Sequence, residues 1–221
     1  MSTFYVIATP IGNLEDITLR ALRILKEVDL VLCEDTRVTR KLFEKYQIST
    51  QTMSYHAQSG EAKVEIILEK IEEGKNIALV TDAGTPGISD PGSMLISQIR
   101  EKFPELTIIG IPGASALTGA LSIAGVPTHE FVFLGFLPHK KGRETLFKEI
   151  AASERTMVFY ESTHRILKTL ESLSKINKKV TIVRELTKIY EEVLQGTALE
   201  ILKTLTDTPE KQKGEFVVIV S

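Results

Sequence analysis

Cysteine is nearly absent from this chain, and Cys33 stands alone. A single cysteine excludes an intramolecular disulfide framework and fits a reducing compartment, so a cytoplasmic protein is expected. Histidine is scarce as well, with four residues in 221. None of them lies at metal-ligand spacing, and no metal is expected. No apolar run reaches the ~20 residues needed to cross a bilayer. Residues 4–8 open a strand-like run without the basic flank and long apolar stretch of a signal peptide. The phosphate signatures G-x-x-x-x-G-K-[ST] and G-x-G-x-x-G are missing too, which disfavours a nucleoside triphosphate or a dinucleotide as ligand. Nor is positive charge in excess: 27 basic residues face 29 acidic ones, for a net charge of −2. Bulk charge therefore argues against a polyanionic partner, and any nucleic-acid contact has to come from local clusters.

What is present is the balance of an ordinary globular protein, 43% hydrophobic and 25% charged, in a length that allows one large domain or two modest ones. Apolar runs at 4–8, 28–33, 77–81, 106–111, 131–137, 156–160, 180–183 and 216–220 alternate with segments of helical period at 19–28, 62–71, 94–99 and 166–173. In the last of these, Ile166, Leu167, Leu170 and Leu173 recur at helical spacing. Near-continuous apolar strands between helices imply sheets covered on both faces, an α/β architecture. Asp16 is the expected N-cap of the first helix, and Asp90 with Pro91 of another. The seam is placed at Gly125-Val126-Pro127-Thr128, after a small-residue helix. It separates an N-terminal α/β domain, 1–127, from a C-terminal α/β domain, 128–221. Cys33 sits inside an apolar run and reads as core rather than as a nucleophile.

Three loops rich in glycine and proline follow apolar runs and lead into helices. Residues 81–92 hold three glycines and two prolines. The others are Thr9-Pro10-Ile11-Gly12 and Pro112-Gly113-Ala114-Ser115-Ala116. Glycine permits positive φ and close backbone approach, and proline stiffens the rest. Loops at the carboxyl ends of strands should converge on one edge of the sheet. A ligand with an adenosine but no phosphate would suit them.

Two clusters are polar: Glu34-Asp35-Thr36-Arg37 and Tyr160-Glu161-Ser162-Thr163-His164-Arg165. For Asp35 and Ser162 a helix-capping reading stands level with a functional one. Arg37, Glu161 and Arg165 fit capping less well, since arginine near a helix N-terminus opposes the dipole. Arg37, Arg40, Lys41 and Lys45 fall on one helical face, and Lys140, Lys141 and Arg143 form a second basic group. For each, a merely solvated face is the alternative.

Taken in order, the string from Thr9 to Thr18, then Glu34 to Arg37, then 81–92, then Phe159 to Arg165, Arg184 to Lys188, and Gly214 to Phe216 resembles the tetrapyrrole methylase superfamily. Within it, the motifs resemble the branch that methylates small-subunit ribosomal RNA. The resemblance spans essentially the whole chain. It implies a two-domain, class III methyltransferase fold with S-adenosylmethionine in a cleft between domains, and a homodimer. It further implies 2′-O-methylation of a cytidine ribose, cytidine 1402 of 16S rRNA, in the 30S subunit. Cofactor contacts map onto Pro10, Ile11, Gly84, Thr85, Pro86, Gly87, Ile88, Ser89, Ser115, Ala116, Tyr160 and Glu161. The pattern departs at Thr163, where proline is usual, and members commonly continue past the final strand with a basic segment.

A ribose hydroxyl is a poor nucleophile while protonated, so a base is useful. Asp35 and Glu161 are the expected bases, with Arg37 and Arg165 holding phosphate or ribose, and His56 and His164 as lesser choices. Arg37, Arg40, Lys41, Lys140 and Lys141 are the expected RNA contacts. Two alternatives remain open: a methyltransferase of this fold acting on a tetrapyrrole or other small molecule, and a non-catalytic nucleotide-binding module.

Overall fold

The computed structural model describes every residue except Met1, Ala57 and Pro91. The chain divides between Ser115 and Ala116 into two compact units. The first is built on five parallel strands, β1 (Thr3–Ile7), β2 (Leu30–Cys33), β3 (Thr52–Ser54), β4 (Ile77–Leu79) and β5 (Thr107–Ile111), in the order β3-β2-β4-β1-β5. Four helices flank them: α1 (Leu19–Glu27), α2 (Thr36–Tyr46), α3 (Glu61–Glu72) and α4 (Ser93–Lys102). Successive strand residues point to opposite faces, and here both faces are covered. Val31 and Cys33 pack with Ala21, Ile24, Leu42 and Phe43 of α1 and α2. Leu30 and Leu32 pack with Ile67, Ile71, Leu95 and Ile99 of α3 and α4. Cys33 is fully buried, its thiol is directed at the Met53 carbonyl (3.8 Å), and burial pushes its pKa up. It is a core residue.

Two helix starts differ from expectation. Thr18 rather than Asp16 caps α1, its Oγ1 accepting from Ala21 N at 3.1 Å. Asn13 caps a short 3₁₀ turn, Leu14–Asp16, and this turn absorbs Asp16. The N-cap of α4 is Gly92 at φ +137°, where a Cβ would lie 2.9 Å from Leu79 Cδ2. Glycine thus displaces Asp90 from that role, and Pro91 lies outside the described residues.

The second unit starts with α5 (Ala116–Ile123). It continues through β6 (Phe131–Phe136), α6 (Arg143–Ala152), β7 (Thr156–Ser162), α7 (Ile166–Leu173), β8 (Lys179–Arg184), β9 (Glu192–Thr197), α8 (Ala198–Asp207) and β10 (Glu215–Val220). The strand order is β6-β7-β10-β8-β9; β6 and β7 run parallel, and the other pairs are antiparallel. Its apolar strands also serve two faces. Phe216, Val218 and Val220 of β10 join Ile150, Leu170 and Leu205 on the side of α6, α7 and α8. Val217 and Ile219 join Ala120, Leu121 and Ala124 from α5 and the residue just after it. Because α5 packs on this sheet, the division lies upstream of the Gly125–Thr128 seam. No helix among the described residues is long and apolar enough to cross a membrane.

Candidate active site

The three glycine-proline loops of the first unit meet. Thr9, after β1, donates its amide to the Gly84 carbonyl at 2.9 Å, and the Gly84 amide returns the bond to Thr9 at 3.0 Å. The Thr9 hydroxyl donates to the Thr81 carbonyl at 2.9 Å, and Thr85 Oγ1 donates to Ala114 O at 3.3 Å, tying in the loop after β5. Gly84 (φ +86°) and Gly87 (φ +83°) occupy the left-handed region. A Cβ on Gly84 would come within 3.4 Å of Ile11 Cγ2. Ser89 takes φ +64° without being glycine, a conformation that costs about 1–3 kcal/mol and is concentrated at ligand sites. Pro10 and Pro86 are buried, while Ile88 is 44% exposed. Pro10, Ile11 and the 84–89 loop thus form one main-chain cradle, with Ser115 following the Ala114 carbonyl that Thr85 engages.

Beside the cradle, the carboxyl ends of β2, β3 and β4 border an open pocket of about 450 Å³ lined by Glu34, Asp35, Arg37, Ser54, His56 and Asp82, among others. Thr81 joins the two: its carbonyl accepts from Thr9, and its hydroxyl donates to Glu34 Oε2 at 3.4 Å. The Asp82 carboxylate accepts from Asp35 N at 3.0 Å. Burial, with Glu34 and Asp82 nearby, pushes the Asp90 carboxyl up to about 6, opposed by a hydrogen bond from Thr81. His56 Nδ1 is buried and has no hydrogen-bond partner among the described residues. Asp82 and Asp90 lie in the loop read as ligand-binding, but nothing in their spacing marked them as chemical groups. Ser54 sits on a strand too short to leave an apolar run.

Asp35 caps α2, accepting from Arg37 N at 2.8 Å. The Arg37 guanidinium also grips that carboxylate, Nε at 3.0 Å and Nη2 at 2.6 Å, and these bonds pull the Asp35 carboxyl down to about 2. A carboxylate this acidic is a weak base near neutral pH. The same pair accounts for an arginine at a helix N-terminus, since the cap carboxylate offsets its conflict with the dipole. Arg40 and Lys41 follow on α2, and neither cation is paired among the described residues. Arg40 lines a second depression with Phe43, Gln47 and Thr50, and Thr36 borders both hollows.

In the second unit, Glu161 is not placed as a base. Its side chain is 0% exposed. It accepts from Thr169 Oγ1 (2.6 Å), Ser162 N (2.9 Å) and Arg165 Nε (2.7 Å), with Arg143 Nη2 at 3.8 Å. A carboxylate saturated in this way holds its neighbours and has no oxygen left for a substrate proton. Arg165 starts α7 and is equally engaged, so Ser162 is not the cap. The Tyr160 ring stands edge-on to Phe133 and Phe136, at 5.0 and 5.4 Å. Ala116 opens α5, and His164 is exposed. Lys140 and Lys141 lie exposed on the turn before α6, whereas Arg143, grouped with them by sequence, turns inward. Thr163 donates to Gly214 O at 2.7 Å and accepts from Gly214 N at 3.0 Å, a double contact that proline could not make. Among the described residues, no group of three or more His, Cys, Asp or Glu could hold a metal ion.

A family model described as Tetrapyrrole (Corrin/Porphyrin) Methylases matches residues 3–202. The chain belongs to this methylase family. It is 46% identical to ribosomal RNA small subunit methyltransferase I of Halalkalibacterium halodurans, covering 99% of this chain and 75% of the relative. It is 44% identical to the protein of that name from Synechocystis, covering 100% and 79%. With the Thermotoga maritima protein of that name identity is 42%, covering 100% and 99%. Among solved structures, the fold is similar to diphthine synthase (TM-score 0.74, 13% identity, covering 100% of this chain and 90% of that one). It is also similar to the methyltransferase CobJ (TM-score 0.70, 21% identity, covering 100% and 94%).

Proposed function

We propose that this protein transfers a methyl group from S-adenosylmethionine to the 2′-oxygen of a cytidine ribose in 16S rRNA, cytidine 1402, acting as a cytoplasmic homodimer on the 30S subunit. The observation that carries this reading is the main-chain cradle joining the ends of β1, β4 and β5, in a chain 42–46% identical to proteins named for small-subunit rRNA methylation. The cradle fits the cofactor: glycines at positive φ bring main chain to the ligand, as an adenosyl group without phosphates allows. Pro10, Ile11, Gly84, Thr85, Pro86, Gly87, Ile88, Ser89 and Ser115 would hold it. Bound there, it supplies an electrophilic methyl on a sulfonium.

The remaining work is positioning and removal of one proton. Holding a nucleophile in line supplies effective molarities of about 10⁵–10⁸ M. The pocket at the ends of β2, β3 and β4 falls within the ~300–1,000 Å³ of small-molecule sites and has room for a nucleoside. Asp90, late in the loop after β4 and near Glu34 and Asp82, is raised to about 6 by burial and so is matched to accept a proton near neutral pH. Arg37, Arg40, Lys41, Lys140 and Lys141 contact phosphates. A tritiated-methyl assay offering 30S subunits, free 16S rRNA and a tetrapyrrole tests the acceptor. Label is expected on a ribose oxygen of 16S rRNA in subunits, and label only on the tetrapyrrole would refute the assignment.

A further inference from the structure

Glu161 raises a question of energetics. A fully buried carboxylate costs several kcal/mol unless it is paired, and apolar residues of similar volume commonly stabilise a core as well or better. The partners of Glu161 show where its charge is directed. Its Oε1 accepts from Arg165 Nε at 2.7 Å, and Arg165 Nη1 donates onward to the Leu137 carbonyl at 2.7 Å. Its Oε2 accepts from Thr169 Oγ1 at 2.6 Å, and that hydroxyl accepts from Arg143 Nη2, also at 2.6 Å. The other arm of Arg143, Nη1, donates to the Pro138 carbonyl at 3.3 Å. Two arginines anchored on one carboxylate therefore end on two consecutive carbonyls, Leu137 and Pro138. These carbonyls open the turn that carries Lys140 and Lys141. The turn closes where Arg143 N donates to Lys140 O at 3.2 Å, with Gly142 at φ +84° leading into α6. Both lysines are exposed, and among the described residues neither ammonium is paired.

We propose that Glu161 is a positioning residue for polyanion binding: through Arg143 and Arg165 it fixes the turn that presents Lys140 and Lys141 to RNA phosphates. This rests on the rRNA reading given above. A lysine on a floating turn pays ordering entropy each time it engages a phosphate, and a turn held at both of its leading carbonyls has been ordered in advance. Glu161, Arg143, Thr169 and Arg165 would then act on affinity without touching the substrate.

The test is a cycle on the 221-residue chain, with binding to 30S subunits measured across a salt titration. Lys140→Ala with Lys141→Ala should lower the slope of log affinity against log salt by roughly 1.4–1.8, two contacts at about 0.7–0.9 each. Glu161→Gln alone should weaken binding in the same direction, and added to the lysine-free variant it should cost nothing further. Thr169→Val, which cuts the Arg143 relay and leaves the carboxylate and Arg165 in place, should reproduce part of the loss if Glu161→Gln does not fold. Equal losses from Glu161→Gln or Thr169→Val in both backgrounds would overturn the proposal, because a general effect on the fold does not depend on the lysines. So would wild-type affinity in Glu161→Gln. If the lysine-free variant itself keeps the wild-type slope, the turn does not meet RNA and the proposal falls. If the unaltered chain does not bind subunits at all, it is the rRNA reading that has failed.

Discussion

Replacing Gly84 by valine strikes the cradle at its tightest joint. Gly84 sits at φ +86°, where a β-branched residue is a genuine outlier, and left-handed backbone costs an L-residue about 1–2 kcal/mol. Escape from that strain is blocked, because the Gly84 amide and carbonyl are both bonded to Thr9, at 3.0 and 2.9 Å. Rotating the peptide away would sacrifice two hydrogen bonds, each contributing about 0.5–1.5 kcal/mol. By either route the penalty is about 1–3 kcal/mol. The new Cβ would also stand 3.4 Å from Ile11 Cγ2, before the valine γ-carbons are placed. If that penalty falls on the ligand-ready loop, cofactor affinity drops by between about fivefold and about 150-fold. Calorimetry with S-adenosylhomocysteine measures the loss, and thermal melting shows how much of it reaches the fold. Gly110→Val is the matched control: it lies in β5, has no neighbour within 4 Å of its Cβ position, and does not occupy the left-handed region. Unchanged affinity and melting temperature in Gly84→Val, or an equal loss in Gly110→Val, would refute the reasoning.

Asp90→Asn should stabilise the protein near neutral pH. A carboxyl raised from 3.8 to about 6 in the folded state favours folding while protonated, and that contribution disappears as pH rises from about 4 through about 6. The melting-temperature difference between Asp90→Asn and the unaltered chain should therefore grow over that window and then level off; a difference independent of pH would contradict the burial argument. Arg40→Glu with Lys41→Glu should weaken 30S binding and reduce its salt dependence, while cofactor affinity measured by calorimetry stays the same. Normal subunit binding across the titration would make this helix face merely solvated.

The apolar runs betrayed the strands because both sheets are covered on both faces. Residues 30–33 send Leu30 and Leu32 one way and Val31 and Cys33 the other, and all four must be apolar. The same reading served β10, although its neighbours are antiparallel, because α5 covers the face that many antiparallel sheets leave to water. Two of the edge strands left no such signal: β3 has three residues, and β9 carries Glu192, Gln195 and Thr197 among its six. The cradle was legible because glycine and proline declare a backbone requirement within the local sequence. Glu161 was not, since a carboxylate at a strand end looks the same whether it faces solvent or Thr169, and its partners Arg143 and Thr169 come from other segments. The division of the chain failed to show for a related reason. Gly125-Val126-Pro127 is a conspicuous break, yet what assigns α5 is its packing on Val158, Val183 and Val217, far along the sequence.

The position of β10 also dictates an order of assembly. It comes last among the strands of the second sheet, yet it pairs with β7 on one side and β8 on the other. Before residues 215–220 leave the ribosome, β6–β7 and β8–β9 are two separate ribbons with open edges and no common neighbour. The first unit needs nothing beyond Ser115 for its five strands and can fold while the rest is still being made. Completion of the second sheet thus waits for residues 215–220. Any chain that stops short of Glu215 would expose two unpaired edges, those of β7 and β8, which are natural targets for aggregation and for cellular proteases.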